Sequence, residues 1–189
     1  VCAQFEDTYW LDHDRSGDFP IEFRQAMTEG GWLGIAMPER YGGAGLGITE
    51  AAVLMHAVTN SGGAMSAAST IHINIFGPHP IVIYGDEAQR ERWLPPLIAG
   101  KEIACFAVTE PDAGLDTGSL TTQARLEGDH YVVRGRKIWT STAQVADRVM
   151  LLARTGPREA QGSSVDNLTL FYTRLDRDRI SVREIDKMG

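Results

Sequence analysis

Glu110 closes an apolar run and opens a turn in the stretch CFAVTEPDAGLD, residues 105–116. Pro111 and Gly114 bend the chain after it, and Asp112 and Asp116 add two further carboxylates. A carboxylate at the end of a buried strand can face a site mouth with a raised pKa, which suits a general acid. The same group can instead accept hydrogen bonds from nearby backbone and order the turn. Around it, PDAGLDTG carries glycines and small residues that leave backbone N–H groups uncovered, a pattern able to cradle an anion. Gly114 and Gly118 lie four apart with no Lys-Ser/Thr after them, which excludes a P-loop and a GxGxxG fingerprint.

A second stretch, KIWTST (137–142), places Trp139 beside Thr140, Ser141 and Thr142. A flat apolar face with hydroxyl groups next to it fits a planar heteroaromatic ligand, and equally fits a tryptophan plugging a β-core. Arg134, Arg136 and Lys137 form a tight basic cluster there. A third stretch, SAASTIHINIFGPHP, offers His72, Asn74 and His79, either as polar groups in a pocket or as core residues satisfied by one hydrogen bond each.

The elements that must hold these residues change period near Gly100. Pro20 opens a helical pattern in IEFRQAM and Gly30-Gly31 closes it. Thr49 can cap EAAVLMHAVTN, AMSAASTIHINIF continues as an Ala- and Ser-rich helix, and Asp86 to Gln89 match a capping box. Pro95 and Pro96 are expected to interrupt the helix that follows, and MPERYGGAGLG (37–47) reads as a glycine-rich connection. From Ile103 the pattern is that of strands: Ile103–Thr109 as a buried run, TTQARLE (121–127) paired through Gly128-Asp129 with HYVVRG, then RKIWTS (136–141), RVMLLART (148–155), LTLFYTR (168–174) and ISVREID (180–186). The polar stretch GPREAQGSSVDN (156–167) reads as a mobile loop. Helices followed by strands indicate an α+β chain, helical over 1–100 and an antiparallel, barrel-like β-domain over 101–189, with no internal repeat.

Composition agrees with a folded, water-facing protein. Charged residues make up 23% and the apolar set 43% of 189 residues, enough to bury a sizeable core. A net charge of -7 argues against nucleic acid as the main partner. Cys2 and Cys105 build no disulfide framework, Cys105 reads as a buried free thiol, and no Cys/His set has zinc-ligand spacing. No apolar run approaches the length of a membrane span. Both ends are expected to be cut points in a longer protein.

Together the motifs resemble those of the acyl-CoA dehydrogenase family. The match runs in order through Gly31-Trp32-Leu33-Gly34, Pro38-Glu39-Arg40-Tyr41-Gly42-Gly43, Tyr84-Gly85 before Asp86, Val108-Thr109-Glu110-Pro111-Asp112-Ala113-Gly114-Leu115-Asp116, Lys137-Ile138-Trp139-Thr140-Ser141, and the final Lys187-Met188-Gly189. The resemblance implies FAD as cofactor and removal of two hydrogens from the α and β carbons of an acyl-CoA thioester. It implies an electron-transfer flavoprotein as acceptor, a homotetramer when the protein is whole, and a bacterial cytoplasmic or mitochondrial matrix setting.

By position, the resemblance assigns the flavin to Phe106, Ala107, Val108, Thr109, Gly114, Leu115, Trp139, Thr140 and Ser141. It assigns the acyl group to Leu115 and to the helix carrying His72 and Asn74. Leu115 departs from the family pattern, which has serine there, and leucine offers no hydrogen bond from its side chain. The family's catalytic glutamate lies in a C-terminal helical bundle expected to be absent from this chain, and Glu110 does not match it. The chain alone is therefore expected not to turn over. Two other readings stay open, a flavin oxidase or monooxygenase of the same fold and a non-catalytic acyl-CoA-binding module.

Overall fold

The computed structural model describes residues 1–157, 163 and 165–185. Six helices precede the sheet: α1 (Asp7–Ser16), α2 (Ile21–Glu29), α3 (Ile48–Thr59), α4 (Ala64–Phe76), α5 (His79–Tyr84) and α6 (Glu87–Ile98). Five strands follow: β1 (Ala104–Ala107), β2 (Gln123–Glu127), β3 (His130–Arg134), β4 (Arg148–Arg154) and β5 (Leu168–Arg174).

Local chemistry sets the starts of α3 and α6. Asp86 Oδ1 accepts from the Gln89 N–H at 2.8 Å while Gln89 Oε1 accepts from the Asp86 N–H at 2.9 Å, so the capping box starts α6 as expected. Helix α3 starts two residues earlier than a Thr49 cap predicts. Gly47 is its cap, and Glu50 reaches back to accept the Gly47 N–H at 2.9 Å. Pro95 and Pro96 do not interrupt α6, which continues to Ile98. The carbonyls that lose their donors belong to Glu91 and Arg92, both solvent-exposed, so water can satisfy them. Buried Leu94 and Leu97 then hold the last turns in place.

The helical core gathers Trp10, Phe23, Met27, Leu33 and Ile71, with Phe5, Tyr9, Trp10 and Phe23 meeting edge to face. Helices α5 and α6 pack onto the sheet through Ile81 and Leu94 against Met150, and Ile73 with Leu97 covers Ala104. The passage from α6 to β1 is pinned. Gly100 takes the left-handed conformation that turns the chain, and buried Arg24 donates to the carbonyls of Gly100 at 2.9 Å and Glu102 at 3.0 Å. Beyond it the Asp147 carboxylate accepts the Ile103 N–H at 2.8 Å, and Glu102 forks onto Arg148.

The sheet is mixed. β2–β3 is the expected hairpin and β4–β5 is also antiparallel, whereas β1 runs parallel to β4 from Ala104↔Arg148 to Ala107↔Leu151. β2 meets β4 at Gln123↔Arg154, also parallel. A parallel pair needs a long crossover, and residues 108–147 supply it. Two expected strands are not formed. Residues 136–141 are irregular, because Trp139 and Thr142 take positive φ (59° and 64°) and cannot extend a ladder. Residues 180–185 pair with nothing in the sheet, and Asp186 lies outside the described residues. Lys187-Met188-Gly189 and most of the expected loop within 156–167 lie outside them too.

Candidate functional site

β1 and the crossover after it bring the two motifs together. β1 buries Ala104, Cys105 and Ala107 and leaves Phe106 37% exposed. Past β1, Val108 and Thr109 are half-buried, and their carbonyls are taken by the second motif. Lys137 Nζ donates to Val108 O at 2.9 Å, and the Ile138 N–H donates to Thr109 O at 2.9 Å. Farther on, Thr142 Oγ1 donates to Ala104 O at 3.2 Å. The loop 137–142 is thus stitched to residues 104–109 at both ends, and between the stitches Trp139 stands 60% exposed.

Glu110 is buried, with both carboxylate oxygens engaged. Oε2 accepts from the N–H and Oγ1 of Thr121 at 2.7 and 2.8 Å, and Oε1 accepts from the Thr122 N–H and Lys137 Nζ, each at 2.9 Å. Burial alone would raise its pKa, but hydrogen bonds from Thr122, Thr121 and Lys137 outweigh it and hold the carboxyl down at about 2. A group ionised at every working pH is no general acid. The turn-ordering alternative fits, although the bonds reach residues 121 and 122 rather than the adjacent backbone. The turn itself closes through mutual bonds between Glu110 and Ala113. The Lys137 ion pair was not foreseen.

Gly114 is exposed with open space where a Cβ would stand, and Leu115 is fully exposed. Thr140 is half-buried and Ser141 exposed. Phe106, Trp139, Gly114 and Leu115 therefore present apolar or backbone surface to solvent. The two residues on α4 differ from these. Asn74 is buried and its amide points to Leu97 O at a long 3.5 Å, while His72 is half-buried. Cys105 is a buried free thiol, as expected, and burial pushes its pKa to about 11.

Two depressions lie away from the motifs. One is an apolar hollow on α3 lined by Ile48, Ala52, Val53 and His56. The other is a groove of about 530 Å³ between α5–α6 and β4–β5, lined by residues including Tyr84, Trp93 and Tyr172. The joined motifs form an open wall rather than an enclosed cleft. Among the described residues, no group of three or more His, Cys, Asp or Glu is placed to hold a metal ion, and no helix is long and apolar enough to cross a membrane.

Residues 3–101 match the acyl-CoA dehydrogenase N-terminal domain and residues 105–189 match the acyl-CoA dehydrogenase middle domain. The 3-(aryl)acrylate reductase of Clostridium sporogenes is 32% identical over 93% of the chain, and mitochondrial isovaleryl-CoA dehydrogenase of Pongo abelii is 34% identical over 93%. The chain spans 46% and 42% of their lengths. A probable acyl-CoA dehydrogenase of Mycobacterium abscessus superposes with a TM-score of 0.81 at 34% identity, over 95% of this chain and 46% of that one.

Proposed function

The chain belongs to the acyl-CoA dehydrogenase family, and from that premise we propose that it forms the flavin- and acyl-facing wall of an enzyme dehydrogenating acyl-CoA thioesters at the α,β carbons. The observation that carries this reading is the joining of Val108–Thr109 to Lys137–Ile138, which leaves Phe106 and Trp139 exposed on connected segments. Exposed aromatic faces with backbone and hydroxyl groups beside them fit the planar ring of FAD. Residues 1–100 and 101–189 act as two structural units in this proposal.

Phe106, Val108 and Thr109 line one part of the flavin site, with Ala107 buried in the core behind them, and Trp139, Thr140 and Ser141 line another. Gly114 lets backbone approach the cofactor without a side chain between. Bound there, the flavin supplies an acceptor for the hydride leaving the β carbon. Leu115 gives the site an apolar rim where a hydroxyl would otherwise donate, so anchoring at this point falls to backbone N–H groups. His72 belongs to the acyl side. Asn74, turned toward Leu97, shapes helix α4 there rather than touching substrate. Glu110 does not take the α-proton in this proposal, because its carboxylate is already engaged by Thr121, Thr122 and Lys137. The proton acceptor, the electron-transfer flavoprotein contact and the tetramer are assigned to the whole protein.

Titrating the purified chain with FAD, followed by tryptophan quenching and flavin absorption, tests the cofactor. Weak but saturable binding is expected, and its absence sinks the flavin reading. Acyl-CoA thioesters added with an artificial electron acceptor are expected to give no turnover by this chain. Sustained acceptor reduction would contradict the assignment of the base elsewhere, and sustained oxygen uptake would favour an oxidase.

A further inference from the structure

We propose that Lys137 is a positioning residue, whose buried pairing with Glu110 sets the orientation of Trp139 toward the flavin wall; the flavin part of this statement rests on the function proposed above. Lys137 and Glu110 side chains are only 9% and 4% exposed, and they meet at 2.9 Å. Three features make the pair more than a local staple.

Lys137 holds two acceptors from the first motif at once, Glu110 Oε1 and Val108 O, both at 2.9 Å. It therefore fixes both the direction and the distance of the second motif. Trp139, two residues on, takes a left-handed backbone at φ 59°, a conformation a non-glycine residue keeps only where its surroundings impose it. The imposing contacts are those of Lys137 and Ile138 on one side and Thr142 on the other. Glu110 also grips Thr121 and Thr122 at the entrance to β2, so one carboxylate ties the turn, the sheet and the tryptophan loop together.

Losing Lys137 alone would strand a buried carboxylate, so the informative variant removes both charges. Glu110→Gln combined with Lys137→Met keeps side-chain volumes close while deleting the ion pair, a kind of replacement that folds tolerate. With 5-fluorotryptophan incorporated, the four tryptophans give four fluorine resonances, and Trp139→Phe identifies the relevant one. In the double variant the Trp139 resonance is expected to shift or broaden while those of Trp10, Trp32 and Trp93 stay. FAD is expected to move the Trp139 resonance in the unaltered chain, with apparent affinity at least tenfold weaker in the double variant. An unmoved Trp139 resonance in the folded double variant overturns the proposal, as does a shift accompanied by unchanged FAD affinity. If FAD leaves Trp139 untouched in the unaltered chain, the flavin reading fails. The comparison without FAD still decides whether Lys137 positions the tryptophan.

Discussion

The backbone N–H of Ile138 donates to the carbonyl of Thr109 across 2.9 Å, joining two motifs that are distant in sequence. The bond stands one residue before Trp139, so the exposed indole hangs from a fixed point. Ile138 is expected to show the slower amide hydrogen exchange of the loop, about tenfold or more behind Ser141, since a bonded, half-buried N–H opens only with its partner. Equal exchange at both positions would mean that the bond does not persist in solution.

Glu110→Gln is expected to destabilise the fold by roughly 3 kcal/mol, because it leaves the buried Lys137 ammonium without its counter-charge. Urea unfolding at neutral pH measures this, and a change below about 0.5 kcal/mol, the range of ordinary surface substitutions, would show the pair to be inert.

The same carboxylate gives a pH signature. Its pKa is lowered on folding from 4.5 to about 2, so its contribution is complete above 4.5 and is lost as the pH falls toward 2. Stability of the unaltered chain is expected to drop across that window, and Glu110→Gln should flatten the drop. Acid unfolding curves of the two proteins, compared at matched ionic strength, provide the test.

Much of this was legible in the sequence where the information is local. The capping box of Asp86 and Gln89 and the β2–β3 hairpin each depend on residues within a few positions of one another, and the apolar run around Cys105 marks it for burial although distant Ala143, Val149 and Leu175 cover it. The Glu110–Lys137 pair spans 27 positions and belongs to the crossover that makes β1 and β4 parallel, which periodicity does not report. A signal was present nonetheless: an acid in one motif and a base in the other, each next to a run rich in apolar residues. RKIWTS misled because Ile and Trp favour strands, whereas tertiary bonds force Trp139 into a left-handed backbone. Pro95 and Pro96 misled because exposed carbonyls at Glu91 and Arg92 tolerate the loss of their donors.

Gly135→Ala is expected to cost about 1–3 kcal/mol, the range for overpacking. A Cβ there would stand 2.6 Å from Thr122 Cβ and 2.7 Å from Thr122 Cα, pushing on the residue whose N–H holds Glu110. Thermal unfolding should show the loss. The strain should also reach the Trp139 loop, because Glu110 links Thr122 to Lys137.

Cys105 should resist thiol reagents at neutral pH. Its thiol is buried and its pKa is pushed to about 11, so almost no thiolate is present, whereas Cys2 is only half-buried. Labelling the folded chain is expected to modify Cys2 first, with Cys105 reacting only on unfolding. Rapid double labelling in native buffer would contradict the packing of β1.

Leu115→Ser separates stability from binding at the open wall. Leu115 is fully exposed, and its side chain contributes to no buried cluster, so the change should leave the unfolding midpoint within the ordinary surface range, about 0.5 kcal/mol. A serine hydroxyl can donate one hydrogen bond to a ligand where leucine offers none. If residues 114 and 115 face the flavin or the CoA moiety, affinity should rise by roughly five- to tenfold, the worth of one net hydrogen bond of about 1 kcal/mol. FAD and acyl-CoA titrations of both proteins read the two ligands separately. A gain for FAD alone places this turn at the cofactor, and a gain for acyl-CoA alone places it at the substrate. Unchanged affinity for both would remove Leu115 from the site and leave its exposure as plain surface.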